Sequence, residues 1–505
     1  MTETWATSGV DLHLDLLIDR TGHRVRASLE AALRDAVRTG RLGPGSRLPS
    51  SRSLAADLGI ARNTVAGAYG QLVAEGWLDA QRGSATRVAD RPAHPDEEPA
   101  AGPALPAPAG RPGHPRYDLR PGFPDLSAFP RPGWLAAARR ALAAAPSEAL
   151  GYPDPRGRPE LRTALAGYLG RARGVRVPAG RIVVCSGFTH GLGLLSQVLR
   201  ARGGRALAVE EYGHLAHRSV VTAAGLSLAV LPVDSRGAAV ADAGPACGLL
   251  LTPAHQFPLG AALAPQRRSQ AIEWARSRGG VVIEDDYDGE FRYDRQPVGA
   301  LQALAPDHVV YAGSASKSLA PGLRLGWLAV PAGLLDEVAA ASCLAGPSPS
   351  SLDQLTLAEF ITSGGYDRQI RRARLAYRRR RDRLVAALRR SAPQVRITGI
   401  AAGLHALLEL PAAQPEDEVV ARAAAHGLAL DGLAGFHARG RVASPALVVG
   451  YGTPPEHAFT GALARLCAVL DDRAPARIPP GQPGQRQHRP RRDPAPRHPA
   501  QPGDR

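Results

Sequence analysis

Between residues 181 and 312 the chain alternates short apolar runs with helical segments, and this alternation restricts the fold more than any other feature. The runs are rich in valine, leucine and isoleucine, with little polar alternation. Such runs are typical of parallel strands that are buried on both faces. We therefore predict an α/β unit with a mostly parallel sheet between helices. Its predicted strands are residues 181–185, 207–209, 228–231, 248–252, 280–285 and 309–312.

Lys317 is the only lysine among 505 residues, although lysine and arginine together number 62. Arginine stays protonated, whereas a lysine amine can lose its proton and condense with an aldehyde. Lys317 lies in a Ser/Gly-rich loop directly after a predicted strand, seven residues before Arg324. We interpret it as a reactive amine beside an anion-binding loop, and we expect the nearby cations to lower its pKa.

The other candidates also follow predicted strands, at the sheet edge where α/β proteins bind ligands. A phosphorylated aldehyde cofactor needs hydroxyls, a guanidinium and helix N-terminal N–H groups for its phosphate. Asp285 could keep a pyridine nitrogen protonated, and Tyr287 could donate to a ring hydroxyl. The predicted phosphate ligands are Ser314, Ser316, Arg324, Gly187 and Phe188.

Residues 24–88 carry the pattern of a winged helix. An amphipathic helix is followed by a short helix capped by Ser50 or Ser51, a second helix at about 61–75 and a hairpin at 76–88. Residues 20–89 contain 11 arginines and 5 acidic residues, a balance that favours a polyanionic partner. Recognition helices present their first residues to base edges in the major groove. The predicted DNA contacts are Arg47, Ser51, Arg52, Arg62, Asn63, Thr64 and Arg82.

The chain is predicted to be multidomain. Residues 1–90 form a DNA-binding domain, 91–115 a Pro/Ala-rich linker, 116–472 an α/β domain with a small lobe from about 361, and 473–505 a disordered basic tail. The Arg-rich helix predicted at 366–390 is expected to present a solvated charged face. Residues 8–16 alternate as a short strand or extended arm does.

Several classes of protein are excluded by composition. No run of 18 apolar residues exists, so no membrane span is expected, and the absence of a signal pattern predicts a cytoplasmic location. The four cysteines are far apart and without metal-ligand spacing, so we expect reduced core residues and no metal site.

Two stretches resemble known families. Residues 20–88 resemble the GntR-type winged helix, through GRLGPGSRLPSSRSLAADLGIARNTVAGAYGQLVAEGWL. Residues 116–472 are similar to fold-type I aminotransferases, through YPDPRGRPELR, TPAHQFPLG, VVIEDDYDGEF, GSASKSLAPGLRLGW and AGLHALLEL. The whole chain resembles a MocR/GabR-type regulator, and within that family the type that controls pyridoxine synthesis.

The resemblance implies pyridoxal 5'-phosphate (PLP) as the cofactor, bound by Lys317. It implies Asp285 as the partner of the pyridinium nitrogen, Tyr287 as the O3′ partner, and Arg324 with the two loop serines at the phosphate. Tyr152 matches a tyrosine that reaches the phosphate from the other subunit, which implies a homodimer.

Two positions depart from the family pattern. His214 stands where a ring-stacking tyrosine is common. Ser444 stands where aminotransferases carry the arginine that binds a substrate carboxylate, so carboxylate recognition should be weak. Arg439 or Arg441 are possible substitutes.

Three interpretations remain open from the sequence. The first is a PLP-dependent transcription regulator that senses PLP or an amine effector, with Ser444 favouring PLP itself. The second is a working aminotransferase with an accessory DNA-binding domain, and the third is a DNA-binding protein with a vestigial cofactor site. The effector, the operator and the sign of regulation are not readable from the sequence.

Overall fold

The computed structural model describes residues 25–80, 85–90, 115–293, 298–346, 349–440 and 442–471. The chain divides into two compact units, Met1–Gly110 and Arg111–Arg505. The predicted arm at 8–16, Arg82, Arg441 and the tail at 473–505 lie outside the described residues, as does the linker up to residue 114.

The described part of the first unit contains three helices and a hairpin. They are α1 (Val25–Arg38), α2 (Ser51–Leu58), α3 (Arg62–Ala74), β1 (Leu78–Asp79) and β2 (Arg87–Val88). Ser50 caps α2, because its side chain accepts a hydrogen bond of 3.1 Å from the backbone N–H of Ser53. Gly59 ends α2 with a φ of 63°, a left-handed conformation that glycine adopts without a steric penalty.

One hydrophobic core joins these elements. Leu29 and Leu33 of α1 pack with Leu54 of α2, Leu72 of α3 and Val88 of the hairpin, and all five are buried. The helix–helix-turn-helix–hairpin order confirms the predicted winged helix.

The second unit begins with β3 (Tyr117–Asp118), α4 (Arg131–Ala144) and α5 (Pro159–Arg173). Its central part runs β4 (Ile182–Cys185), α6 (Phe188–Ala201), β5 (Ala206–Glu210), α7 (Leu215–Ala223), β6 (Ser227–Leu231), β7 (Val233–Asp234), β8 (Gly237–Ala238), β9 (Gly248–Leu251), α8 (Pro265–Arg278), β10 (Val281–Asp285), β11 (Val309–Ser314) and β12 (Gly326–Ala329). It ends with α9 (Leu335–Leu344), α10 (Ser351–Thr362), α11 (Gly365–Ser391), β13 (Arg396–Thr398), β14 (Ala406–Glu409), α12 (Glu416–Ala425), β15 (Leu428–Ala429), β16 (Asp431–Gly432), β17 (Ala446–Val449) and α13 (Glu456–Leu470).

A seven-stranded sheet in the order β4-β12-β11-β10-β9-β5-β6 organises this unit. The pairings β11-β10-β9-β5-β6 are parallel, and β12 runs antiparallel to both of its neighbours. Buried clusters cover both faces of the sheet, so the predicted α/β architecture is confirmed. The six strands predicted from apolar runs are all present.

Strand β12 was not predicted, because its residues were assigned to the loop around Lys317. The pairing puts Gly326 opposite both Ser314 and Cys185. A Cβ atom on Gly326 would come within 2.8 Å of the Cα atom of Gly187, so only glycine fits without a shift of the backbone. The chain therefore returns at once into the sheet, which fixes both ends of the lysine loop.

A smaller antiparallel sheet, β13-β14-β17-β16, follows the 27-residue helix α11. Most arginines of α11 are exposed, as expected, but Arg380 is buried. Its Nη2 atom lies 2.6 Å from Asp125 Oδ2 and 2.8 Å from Glu456 Oε2. The prediction of a purely solvated charged face is therefore wrong at this position.

Two further findings concern the expectations from composition. Within the described part of the chain, no helix is long and apolar enough to cross a membrane. All four cysteines are free thiols, but Cys343 is exposed, so the prediction that each cysteine is a core residue is wrong for Cys343.

Candidate functional site

A cavity of about 280 Å³ lies at the carboxyl ends of the central strands. It brings together nine of the ten residues predicted to bind the cofactor. They are Gly187, Phe188, His214, Asp285, Tyr287, Ser314, Ser316, Lys317 and Arg324.

Lys317 is half-buried, and its Nζ atom donates a hydrogen bond of 2.6 Å to the carbonyl oxygen of Gly122. Burial lowers its pKa, while Asp285 and Asp288 oppose that shift. The expected direction is correct, but the predicted cause was nearby cations, and burial is the cause in the structure. A lowered pKa gives a larger neutral fraction, which is the nucleophilic form.

Asp285 is the last residue of β10 and is buried. Burial raises its pKa well above the ordinary value, and the Lys317 ammonium partly offsets this. A carboxylate that is shielded from solvent is stabilised by a cation or a strong hydrogen-bond donor beside it. A protonated ring nitrogen in the cavity would be such a partner.

Tyr287 is connected to a buried network behind the cavity wall. Its hydroxyl lies 3.1 Å from His255 Nδ1, which in turn lies 2.8 Å from Asp288 Oδ2. His405 lies beside this pair, with its Nε2 atom 3.2 Å from the carbonyl oxygen of Pro258. The network holds the Tyr287 ring at the cavity and was not predicted.

Two histidines and an aspartate of this network form a group that sequence spacing did not reveal. Ligand atoms of His255, Asp288 and His405 all lie within 4.8 Å of one another, a separation compatible with metal binding. The hydrogen bonds within the network and to Pro258 already account for their arrangement.

His214 supplies an aromatic wall. Its ring stacks on Phe257 with centroids 4.6 Å apart and planes 8° from parallel. Burial, with a smaller contribution from Lys317, lowers its pKa to about 4, so the ring is neutral near pH 7. A neutral flat ring can stack on a pyridine ring as a tyrosine would.

The phosphate ligands predicted from the sequence meet at the start of α6. Gly187 has a φ of 88° and directly precedes that helix, whose first N–H groups have no partner within the helix. Arg324 has a φ of 53° and is the one non-glycine residue of the described chain with a positive φ. Left-handed backbone costs a side-chain-bearing residue about 1 kcal/mol or more, and such conformations cluster at functional sites.

These residues fit a phosphorylated pyridine aldehyde. One cavity holds an amine of lowered pKa, a buried carboxyl group, a flat aromatic ring, and hydroxyls with a guanidinium at a helix N-terminus. Each group corresponds to one functional part of the cofactor that the resemblance implies.

The remaining predicted positions of this unit lie elsewhere. Tyr152 is fully exposed and does not line the cavity of its own chain. Ser444 is exposed before β17. Arg439 is exposed too, and it lines a separate groove with Glu211 and His437.

In the winged helix, the predicted DNA contacts cluster at the helix starts. Arg62, Asn63 and Thr64 form the first turn of α3, and Ser51 and Arg52 begin α2. The two arginines and Asn63 are exposed, while Ser51 and Thr64 are half-buried. Arg47 is also exposed, in the connector before α2.

Several cavity residues were missed by sequence reasoning. Gly122 was given no role, and Phe257 lies within the quoted TPAHQFPLG motif without a role. The other missed residues include Glu210, His217, Arg218 and His405. His405 lies within the quoted AGLHALLEL stretch, which was the sequence signal available for it.

Comparisons with known proteins agree with both units. The family described as aminotransferase class I and II matches residues 122–442, and the gntR family of bacterial regulatory proteins matches residues 26–88.

Two curated proteins are similar along most of their length. The HTH-type pyridoxine biosynthesis transcriptional regulator PdxR of Corynebacterium glutamicum is 32% identical over 453 residues, covering 88% of this chain and 95% of that protein. The probable rhizopine catabolism regulatory protein MocR of Rhizobium meliloti is 34% identical over 430 residues, covering 82% and 86%.

Solved structures show the same fold in the second unit. A kynurenine aminotransferase of Pyrococcus horikoshii superposes with a TM-score of 0.63 at 24% identity, covering 71% of this chain and 91% of that one. The α-aminoadipate aminotransferase LysN of Thermus thermophilus gives 0.62 at 24% identity, covering 70% and 91%.

Proposed function

Because the chain belongs to the MocR/GabR-type regulators, in which a GntR winged helix precedes a class I and II aminotransferase domain, we propose that it couples cofactor occupancy to operator binding. It is a DNA-binding transcriptional regulator that depends on PLP. We assign DNA binding to residues 1–90 and ligand sensing to residues 116–472, in the cytoplasm, where operator DNA is available.

The cavity around Lys317 is the observation that carries this proposal. When bound, PLP supplies an aldehyde that reacts with amines. Lys317 is the residue that binds it, and burial keeps part of that amine unprotonated. Asp285 holds a proton at the ring nitrogen, and Tyr287, positioned through His255, donates to the ring hydroxyl.

The other cavity residues orient the cofactor. Ser314, Ser316 and Arg324 bind the phosphate together with the N–H groups of Gly187 and Phe188 at the start of α6. His214 stacks on the ring face, backed by Phe257.

We further infer that the regulator acts as a homodimer formed by the second unit. Helix α4 buries only Ala137 in its own chain and leaves Leu135 and Leu142 more than half exposed. Exposed apolar side chains cluster near it in sequence, and contiguous exposed apolar surface is typical of interfaces. They include Leu126, Leu150 and Tyr152. Tyr152 then reaches the phosphate in the cavity of the partner.

PLP itself is the effector that the site favours. Ser444 cannot replace a guanidinium in binding a substrate carboxylate, and it is exposed. The relative from Corynebacterium glutamicum is named a regulator of pyridoxine biosynthesis, which supports the same ligand. An amine that displaces Lys317 from the cofactor is the second candidate.

Titrating PLP into a DNA-binding assay tests the proposal. A duplex selected by the wild-type protein from a random library serves as the operator. We expect PLP to change the affinity or the footprint in wild type and to leave both unchanged in Lys317→Ala. An equal response in both proteins, or none in wild type, contradicts the proposal.

A further inference from the structure

Arg218, near the centre of α7, is a buried cation that the proposed function does not use. Its side chain is 8% exposed and lines the cavity. Its Nη2 atom donates to the backbone carbonyl oxygens of Glu210, at 3.1 Å, and Glu211, at 2.7 Å. Its Nη1 atom is buried and has no hydrogen-bond partner among the described residues.

The other buried arginines of the described chain show what a satisfied one looks like. Each lies within 3.5 Å of a carboxylate oxygen: Arg162 with Asp154, Arg173 with Asp286, Arg267 with Asp234 and Arg380 with Asp125. Arg218 alone among the five has backbone carbonyls as its only partners. A buried charge is costly unless an opposite charge compensates it.

The carboxylate of Glu211, the nearest acidic residue along the chain, is engaged elsewhere. Glu211 Oε1 lies 3.0 Å from His437 Nε2. Burial lowers the pKa of Arg218, and Glu211 opposes this shift without forming an ion pair. The described residues therefore give the Arg218 guanidinium no anionic partner.

Arg218 belongs to a different element from the groups assigned to the aldehyde and the phosphate. Lys317 serves the aldehyde and Arg324 the phosphate, whereas Arg218 is on the helix that follows the stacking residue His214. Its neighbour His217 also lines the cavity, and burial lowers the pKa of His217 to about 3, so that ring adds no positive charge.

We propose that Arg218 binds the carboxylate of a small molecule that enters the cavity beside the cofactor. It would do what the arginine missing at Ser444 does in aminotransferases. A guanidinium that already donates through Nη2 is oriented, so its Nη1 can bind a carboxylate oxygen at a small entropic cost. This inference rests on the proposed function only in taking Lys317 as the cofactor site.

Calorimetric titration of the PLP-loaded, full-length protein tests the inference with acid and amide pairs. The probes are L-alanine against L-alaninamide and β-alanine against β-alaninamide, which differ only in the charged group. We expect the better acid to bind about 10- to 100-fold more tightly than its amide. In Arg218→Gln this ratio should fall to about 1, and in Arg205→Gln, an exposed control outside the cavity, it should stay unchanged.

The outcomes separate this inference from the proposed function. Equal binding of acid and amide by wild type, no binding of either acid, or a preference that survives in Arg218→Gln overturns it. Uptake of PLP is measured independently by the reduced adduct on Lys317. If wild type takes up no PLP, the proposed function fails, whereas uptake of PLP without an Arg218-dependent preference for the acid overturns this inference alone.

A second measurement covers the case in which Arg218→Gln does not fold. A crystal structure of the loaded wild type with β-alanine locates the carboxylate directly. A carboxylate oxygen within hydrogen-bond distance of Arg218 Nη1 supports the inference, and a carboxylate bound elsewhere overturns it.

Discussion

The Nζ atom of Lys317 donates a hydrogen bond of 2.6 Å to the carbonyl oxygen of Gly122, 195 positions earlier in the chain. Gly122 has a φ of 103°, which turns its carbonyl toward the cavity in a backbone conformation typical of glycine. The segment before α4 therefore forms part of the cavity wall. The hydrogen bond holds the lysine amine in place at the cavity.

Replacing Lys317 with arginine should abolish covalent capture of the cofactor. Arginine keeps the positive charge but cannot condense with an aldehyde. After addition of PLP and borohydride, wild type should gain one phosphopyridoxyl group on a lysine side chain, that of Lys317, because no other lysine exists. Intact-mass analysis and peptide mapping should find no side-chain adduct in Lys317→Arg, and an adduct on another side chain would contradict the assignment.

The rate of cofactor capture should rise to its plateau at a lower pH than for a free lysine, whose pKa is about 10.4. Burial lowers the pKa of Lys317, so its neutral fraction is larger at any pH below that value. Asp285 opposes the shift, so Asp285→Asn should move the midpoint to a still lower pH. Stopped-flow absorbance across a pH series measures both midpoints, and a higher midpoint in the variant would refute this electrostatic account.

The fold was largely predictable from local pattern, and the site was predictable in part. The six strands predicted from apolar runs are all present, because strands buried on both faces need continuous apolar sequence. Strand β12 was missed because Gly326-Trp327-Leu328-Ala329 is short and begins with a glycine whose role, contact with Gly187, is tertiary.

Site residues were predicted where a motif carried them and missed where only the fold brings them in. Asp285, Tyr287 and Lys317 follow strands and belong to recognisable segments. Gly122 enters through its backbone carbonyl, which no side-chain pattern reveals. Arg218 could not be distinguished among 61 arginines, because its burial without a carboxylate is visible only in three dimensions.

His405 should make the protein less stable in mild acid. Burial lowers its pKa from 6.5 to about 3, so the unfolded chain binds a proton between these values and the folded chain does not. Stability from this group is therefore present above pH 6.5 and is lost as the pH falls toward 3. Between pH 7 and pH 5 the loss should be about 2 kcal/mol.

The comparison of wild type with His405→Gln isolates this contribution. Burial raises the pKa of Glu210, Glu284 and Glu290 to about 7. These carboxyl groups therefore raise the free energy of unfolding as the pH falls from 7 to 5, and they are present in both proteins. Urea titrations at the two pH values should show that, from pH 7 to pH 5, the free energy of unfolding of the variant changes by about 2 kcal/mol more in the stabilising direction than that of wild type. An equal change in both proteins would exclude His405 as the cause.

Arg380 should be far more important for stability than its neighbours on α11. It is buried and pairs with Asp125, whose side chain is 4% exposed. Arg380→Ala leaves that carboxylate unpaired and should cost about 3–5 kcal/mol in the free energy of unfolding. Arg379 is exposed, so Arg379→Ala should change it by about 0.5 kcal/mol or less. Similar urea midpoints for the two variants would show that the buried pair does not contribute.

Arg62 should contribute directly to operator binding, because it is exposed at the first position of α3, where a recognition helix meets DNA. Arg62→Ala should weaken binding to the selected duplex and reduce the slope of log K against log salt by about 0.9 if the contact is to phosphate. If Arg62 contacts a guanine instead, the substitution should weaken binding by about 1–3 kcal/mol and relax the base preference at one position.

Arg38 is the matched control, since it is exposed on α1 and pairs with Asp35 at 2.9 Å. Arg38→Ala should leave affinity and slope unchanged, and equal effects of the two substitutions would mean that α3 does not enter the DNA groove by its first turn.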